Sequence, residues 1–327
     1  MTTNHVHKPR GFQLRAASDF YAGFTPGSGM AAAATDRLTL AFRLDRTFEP
    51  VVVALREEPE ALVLEFAGSD DGAAVRKQVS RMLGLEADGA EWQVVGERDQ
   101  VVGTLQREFP GFFTAAKASP YDAATWAMIA PRMNQNQAAA IKQAMARELG
   151  DRVELAGHVQ HIFPAPAALL SLRAFPGLAD EKVARLRGIA EAALDGRLDA
   201  DRLRALGEQR ALAELQTLRG VGPWVASHIY YRGAAPLDDL PTAEPRVLHG
   251  LAHAYRLEAP TADTFTRIAE GWRPFRMWVC VLLSRHLARS GGWHAPSLAR
   301  ERTLAGRELA KRTTRRSSSR SAASRQG

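Results

Sequence analysis

Twelve residues, LQTLRGVGPWVA from Leu215 to Ala226, constrain this chain more than any other stretch. They read as the end of one helix, a tight turn with Gly220 and Gly222 flanking Val221, and the start of a second helix. Glycines spaced this closely let the backbone turn sharply and bring several N–H groups to one exposed point at a helix start, where a phosphate can approach. The same glycines also suit a plain connection between helices, because glycine is the usual residue just past a helix C-terminus.

The segments around the turn fall into two kinds. Leu38, Leu40, Phe42 and Leu44 alternate with smaller or polar residues, and Glu49 to Leu55 and Ala61 to Phe66 add two more β-rich runs, so antiparallel strands are expected there. A helix follows over Ala73 to Leu83. From Tyr121 onward the period becomes helical: Ala123 to Met128, Gln137 to Leu149, Ala165 to Arg173, Asp180 to Ala193, and a closing helix within Ala269 to Leu287. This predicts an N-terminal α+β domain with a small antiparallel sheet (residues 1–108), an all-α region carrying the hairpin (109–296) and a basic tail (297–327).

Taken together, these motifs resemble the helix-hairpin-helix DNA glycosylase superfamily, in particular its DNA-3-methyladenine glycosylase II type. Upstream of the turn, Phe163 to Leu206 is similar to that family's helix pair, with the run Gly177-Leu178 … Lys182 … Leu186-Arg187 ahead of a GRLD turn. Downstream, LDDLPTAEPRVL leads into a helix ending HGLAHAY, and AEGWRPFRMWVCVLLSRHL looks like the family's closing helix with its W-x-P-x-R motif. The resemblance spans roughly residues 11 to 296. It implies a mainly α fold and a DNA glycosylase acting in base excision repair on double-stranded DNA with damaged bases. The enzyme would extrude an alkylated purine of the 3-methyladenine or 7-methylguanine type and cleave its glycosidic bond with water. The other reading is a non-catalytic DNA-damage-binding protein that keeps the fold.

Base excision needs a phosphate anchor, a wedge filling the gap in the duplex, an aromatic pocket and a carboxylate near the sugar cation. Gly220, Val221 and Gly222 are the anchor, and the resemblance implies that carbonyls of this turn also hold a structural monovalent metal ion bridging to a phosphate. No cofactor for catalysis is implied. In the family an aspartate commonly follows a proline as P-x-x-D; here Pro241-Thr242-Ala243 is followed by Glu244, one methylene longer. Glu244 is therefore the candidate catalytic carboxylate, with Asp238 and Asp239 as loop-ordering residues and fallback acids. A helix N-terminal glutamate ahead of Pro245 would look the same.

Trp224, His228 and Trp272 are the base-pocket candidates, with Trp126 and Tyr121 behind them, since an electron-rich indole stacks well on a cationic purine. Bifunctional members of the family carry a catalytic lysine at the position of Trp224, so the resemblance implies a monofunctional enzyme without a Schiff base. For the wedge, IAPRMNQNQAAA offers Arg132 and Met133, with Asn134, Gln135 and Asn136 as polar neighbours. Arg273 and Arg276 would brace the active-site helix. His158 and His161, spaced for one helix face, suit surface or cap roles better than zinc.

Charge and cysteine count set limits. Of the net charge of +7, six units come from Lys311, Arg312, Arg315, Arg316, Arg320 and Arg325, so the body is close to neutral and the tail reads as a disordered electrostatic arm. The single cysteine, Cys280, excludes an intramolecular disulfide and a four-cysteine iron–sulfur cluster. With no signal-like N-terminus and no apolar run of membrane length, a cytoplasmic, nucleoid-associated monomer without membrane contact is expected.

Overall fold

The structure, a computed structural model, describes residues 2–23, 31–34, 37–113, 116–242 and 244–291. Residues up to His286 form one compact unit; from Leu287 the chain counts as a second, of which residues beyond 291, the basic tail included, lie outside the described residues.

The chain opens with β1 (Thr2–His7), α1 (Leu14–Gly23), β2 (Ala31–Ala34), β3 (Arg37–Arg43), β4 (Pro50–Glu57) and β5 (Ala61–Ala67). The strands form one antiparallel sheet in the order β1-β5-β4-β3-β2. Leu38, Leu40 and Phe42 of β3, with Val51, Val53 and Leu55 of β4, face the main core, where Val75, Val79 and Met82 of α2 (Gly72–Leu83) also lie. The alternation in β3 thus reports a real inward face. Next come α3 (Gly89–Arg98) and α4 (Gln100–Glu108), capped by Asp88 and Asp99, whose carboxylates accept first-turn N–H groups.

The centre is α5 (Pro120–Ile129), in which every residue is buried. Apart from Asp122, Thr125 and the Tyr121 hydroxyl its sequence is apolar all round, as suits a helix enclosed on every side. Its one carboxylate, Asp122, lies between the ammonium groups of Lys117 (3.4 Å) and Lys142 (2.5 Å), the latter on α6 (Gln135–Leu149). Burial alone would raise the Asp122 carboxyl, but the two lysines outweigh it and hold it below its ordinary value.

A hairpin of β6 (Asp151–Leu155) and β7 (His158–Ile162) then interrupts a region expected to be helical throughout. Its turn is Ala156-Gly157, both at positive φ, and Val153, Leu155 and Ile162 form a second apolar cluster with Ala41, Val52 and Ala54. This explains why β4 is buried on both faces. His158 and His161 accordingly lie on a strand, where positions three apart point to opposite faces, not on a shared helix face. Then follow α7 (Pro166–Leu170), α8 (Asp180–Leu194), α9 (Ala200–Leu206), α10 (Glu208–Leu215), α11 (Pro223–Ile229), α12 (Pro245–Tyr255), α13 (Ala262–Ala269) and α14 (Arg276–Arg289).

Candidate DNA interface and base site

Residues 216–222 join α10 to α11, forming the helix-hairpin-helix read from the sequence. Gly220 has φ +83°, a conformation that L side chains rarely adopt, and a Cβ there would meet Arg185 Cδ at 2.7 Å. Gly222 is different. It is extended (φ −86°, ψ 179°), opens α11, and a Cβ would meet nothing within 4 Å. Gly220 is thus required by the turn, whereas Gly222 leaves an uncovered face at a helix start with Pro223 in the first turn.

The first turn of α8 packs beside this hairpin. Glu181 accepts from Arg219 (3.0 Å) and from Arg185 (3.1 Å). Its neighbour Lys182 reaches the other way, donating to the carbonyls of Ile129 (2.6 Å) and Pro131 (2.7 Å) at the end of α5. Arg132 follows at φ +63° and is exposed. Met133 is partly buried and packs on the core, and Asn134 caps α6 by accepting from Gln137 N–H at 2.7 Å. Of the two wedge candidates, only Arg132 projects.

Trp224 is 46% exposed, and its indole lies nearly parallel to the imidazole of His228, one helical turn on (centroids 5.5 Å apart, 16° between planes). The Nε2 of His228 is buried and unpartnered within the fold. Burial first, then the charges of Lys117 and Arg232, lower its pKa to about 3, so the imidazole is neutral at physiological pH. Behind it Lys117 is fully buried over the Trp126 ring (5.4 Å), and burial lowers its pKa to about 7. Tyr121 is core, donating to Pro164 O at 2.9 Å.

After α11 the chain continues as a π-helical turn, Tyr230–Ala234, carrying Arg232; such turns are frequent at functional sites. Gly233 permits it, since a Cβ would come within 2.5 Å of Pro120 Cα. The charge of Arg246, at the start of α12, acts on Arg232. Glu244 is the N-cap of α12. Glu244 is half-buried and accepts from Arg246 N–H in a long contact of 3.4 Å.

The fallback acids are otherwise engaged. Asp238 accepts from Arg273 and, at 3.0 Å, from Arg276; Asp239 accepts from Tyr230 OH at 2.5 Å. Both order the loop, and Arg273 and Arg276 brace it against α14. Trp272 departs from expectation. It is fully buried, and its indole N–H donates to Asp99 (3.1 Å) and to Tyr255 OH (3.0 Å), so it belongs to the core rather than to a base pocket.

A cavity of about 260 Å³ lies between β3, α6 and β7, lined by Arg43, Tyr121, Asp122, Lys142, His161 and Phe163 among others. None of Trp224, His228 and Glu244 lines it. The described residues include no group of three His, Cys, Asp or Glu side chains able to hold a metal. The hairpin offers neutral carbonyl oxygens instead, and that of Gly222 already accepts from Ala226 N–H at 2.9 Å. Such a donor set fits a weakly held alkali ion better than a divalent one.

No family model matches the chain. Over 226 residues it is 24% identical to a DNA-3-methyladenine glycosylase from Bacillus subtilis (strain 168), an alignment covering 64% of this chain and 71% of that protein. Its structure is similar to that of a 3-methyladenine DNA glycosylase from Archaeoglobus fulgidus (TM-score 0.71, 19% identity, 88% of this chain and 98% of the other). It is also similar to the Clostridium acetobutylicum 8-oxoguanine glycosylase/lyase bound to double-stranded DNA (TM-score 0.56, 15% identity, 81% and 99%). At these identities the structural likeness is one of fold.

Proposed function

We propose that this chain is a member of the helix-hairpin-helix DNA glycosylase superfamily and a DNA N-glycosylase of base excision repair that releases alkylated purines of the 3-methyladenine or 7-methylguanine type. The observation that carries this reading is the helix-hairpin-helix itself, from which Trp224 stands exposed and stacked on a neutral His228, with Glu244 as the acid that opens α12, the next α-helix in the chain. DNA as substrate accords with a cytoplasmic, nucleoid-associated protein. No described helix is long and apolar enough to cross a membrane.

In this reading the Gly220-Val221-Gly222 turn presents backbone N–H groups to a phosphate downstream of the lesion, fixing register without reading sequence. An alkali ion on the hairpin carbonyls of Gly220 and Gly222 would add positive charge there. Arg132, projecting from its left-handed turn, fills the gap left by the extruded nucleotide, with Met133 as its packed base. Trp224 stacks on the base. A cationic purine is attracted to the indole face, by about 0.5–2 kcal/mol over a neutral one. Glu244 offers negative charge to the sugar as the glycosidic bond breaks and orients the attacking water. Water, not an amine, completes the reaction, since position 224 is tryptophan and Lys117 is enclosed and paired with Asp122.

The test is direct. Purified protein incubated with methylated duplex DNA should release 3-methyladenine or 7-methylguanine, identified by chromatography, and leave abasic strands. Tight binding to damaged DNA with no base released would refute the enzyme and favour a damage-binding protein.

A further inference from the structure

We propose that Lys182 is the positioning residue of the wedge: it locks the Ala130–Asn134 turn so that Arg132 stands at a fixed height above the hairpin. The inference rests on the reading of Arg132 as wedge. The last carbonyls of a helix have no intrahelical partner, and Pro131 brings no N–H of its own to the turn. One ammonium, arriving from another helix, accepts this duty at both ends of the bend: Lys182 Nζ lies 2.6 Å from Ile129 O and 2.7 Å from Pro131 O. A cation at that end also complements the α5 dipole.

The turn is pinned elsewhere too. Met133 N–H donates to Ala130 O at 3.3 Å, its side chain is packed, and Asn134 is committed to capping α6. Arg132 is left as the exposed side chain between these anchors, at a positive φ that persists only where the surroundings over-determine it. Lys182 and Glu181 are adjacent in the first turn of α8, and Glu181 holds Arg219 and Arg185 against the hairpin. One helical turn therefore sets the distance between phosphate anchor and wedge. The charges of Arg132 and Arg185 both act on Lys182, whose pKa is lowered first by burial and then by them.

The experiment uses a duplex holding a stable tetrahydrofuran abasic analogue opposite 2-aminopurine, whose fluorescence rises when a side chain unstacks it. No bond is cleaved, so the outcome does not depend on glycosylase activity. The full chain should raise the signal. Lys182→Met, which keeps the stem and loses the donor, should give under a third of that rise at saturation, with affinity for undamaged duplex changed less than threefold. Lys182→Arg, able to reach both carbonyls, should recover more than half. A parental complex with no rise, a Met variant with the full rise, or an Arg variant as impaired as Met overturns the proposal.

Discussion

The two hairpin glycines should respond oppositely to alanine. At Gly220 the residue must hold φ +83°, which costs a β-carbon about 1–2 kcal/mol. The new methyl would also stand 2.7 Å from Arg185 Cδ, so that side chain must shift and loosen its pairing with Glu181, worth about 0.3–0.5 kcal/mol. Together these give roughly 2 kcal/mol, or a fall in Tm of roughly 4 °C for a domain this large. Gly222→Ala meets no strain and no neighbour, so thermal stability should hold or rise by about 0.4–1 kcal/mol through a less free unfolded chain. Its methyl nevertheless occupies the space a phosphate needs. Each N–H contact to phosphate lost should weaken binding by an order of magnitude, at about 1.5 kcal/mol per bond to a charged group. Calorimetric melting with fluorescence-anisotropy titration of duplex DNA separates the two effects. A Gly222→Ala protein that melts like the parent and binds DNA as tightly would show that the hairpin is a helix connection and not an anchor.

Three further outcomes follow from the same reading. Truncation after residue 310 removes six positive charges, so non-specific DNA affinity should fall and its dependence on salt become shallower, while base release at low salt persists; an unchanged salt slope would show the tail to be idle. Borohydride added during turnover should trap no covalent protein–DNA adduct, and a trapped adduct detected by denaturing electrophoresis would assign the chemistry to an amine. His228 has its pKa lowered to about 3, against 6.5 when free, so below pH 6.5 the unfolded chain takes up a proton that the fold refuses, and stability falls with acid until about pH 3. Denaturant unfolding at pH 7 and pH 5 should therefore show a smaller acid loss for His228→Phe than for the parent, and equal losses would show that the fold does not disfavour the charged imidazole.

Legibility in the sequence followed how local each determinant is. The hairpin, the three inner strands and most helices carry their signal within a dozen residues. Strand β1, TTNHVH, lacks apolar alternation, and it pairs only because β5 leaves an edge beside it. The β6–β7 hairpin carries a weak signal, since Val153 and Leu155 alternate in β6 but Val159 and Ile162 in β7 lie three apart, and its neighbours are helical on both sides. Trp272 reads like Trp224 as a letter, yet one is sealed by Asp99 and Tyr255 and the other stands open; such a difference comes from partners 173 and 17 residues away. Asp122 and Lys182 likewise take their meaning from partners distant along the chain, Lys142 for the one and the carbonyls of Ile129 and Pro131 for the other. Lys182 lies within the Gly177–Arg187 run, but its contacts to the α5 terminus come from residues more than fifty positions earlier.

Glu244 carries the proposed chemistry, and single-turnover excision by Glu244→Gln tests that role most directly. Glutamine keeps the size and can still accept from Arg246 N–H, so the start of α12 is preserved while the charge is lost. Excision of a methylated purine from duplex DNA should fall by ~100-fold or more, with DNA affinity intact or tighter, and Glu244→Asp, the residue usual in the family, should retain activity. A glutamine variant that releases the base at the parental rate would contradict the assignment.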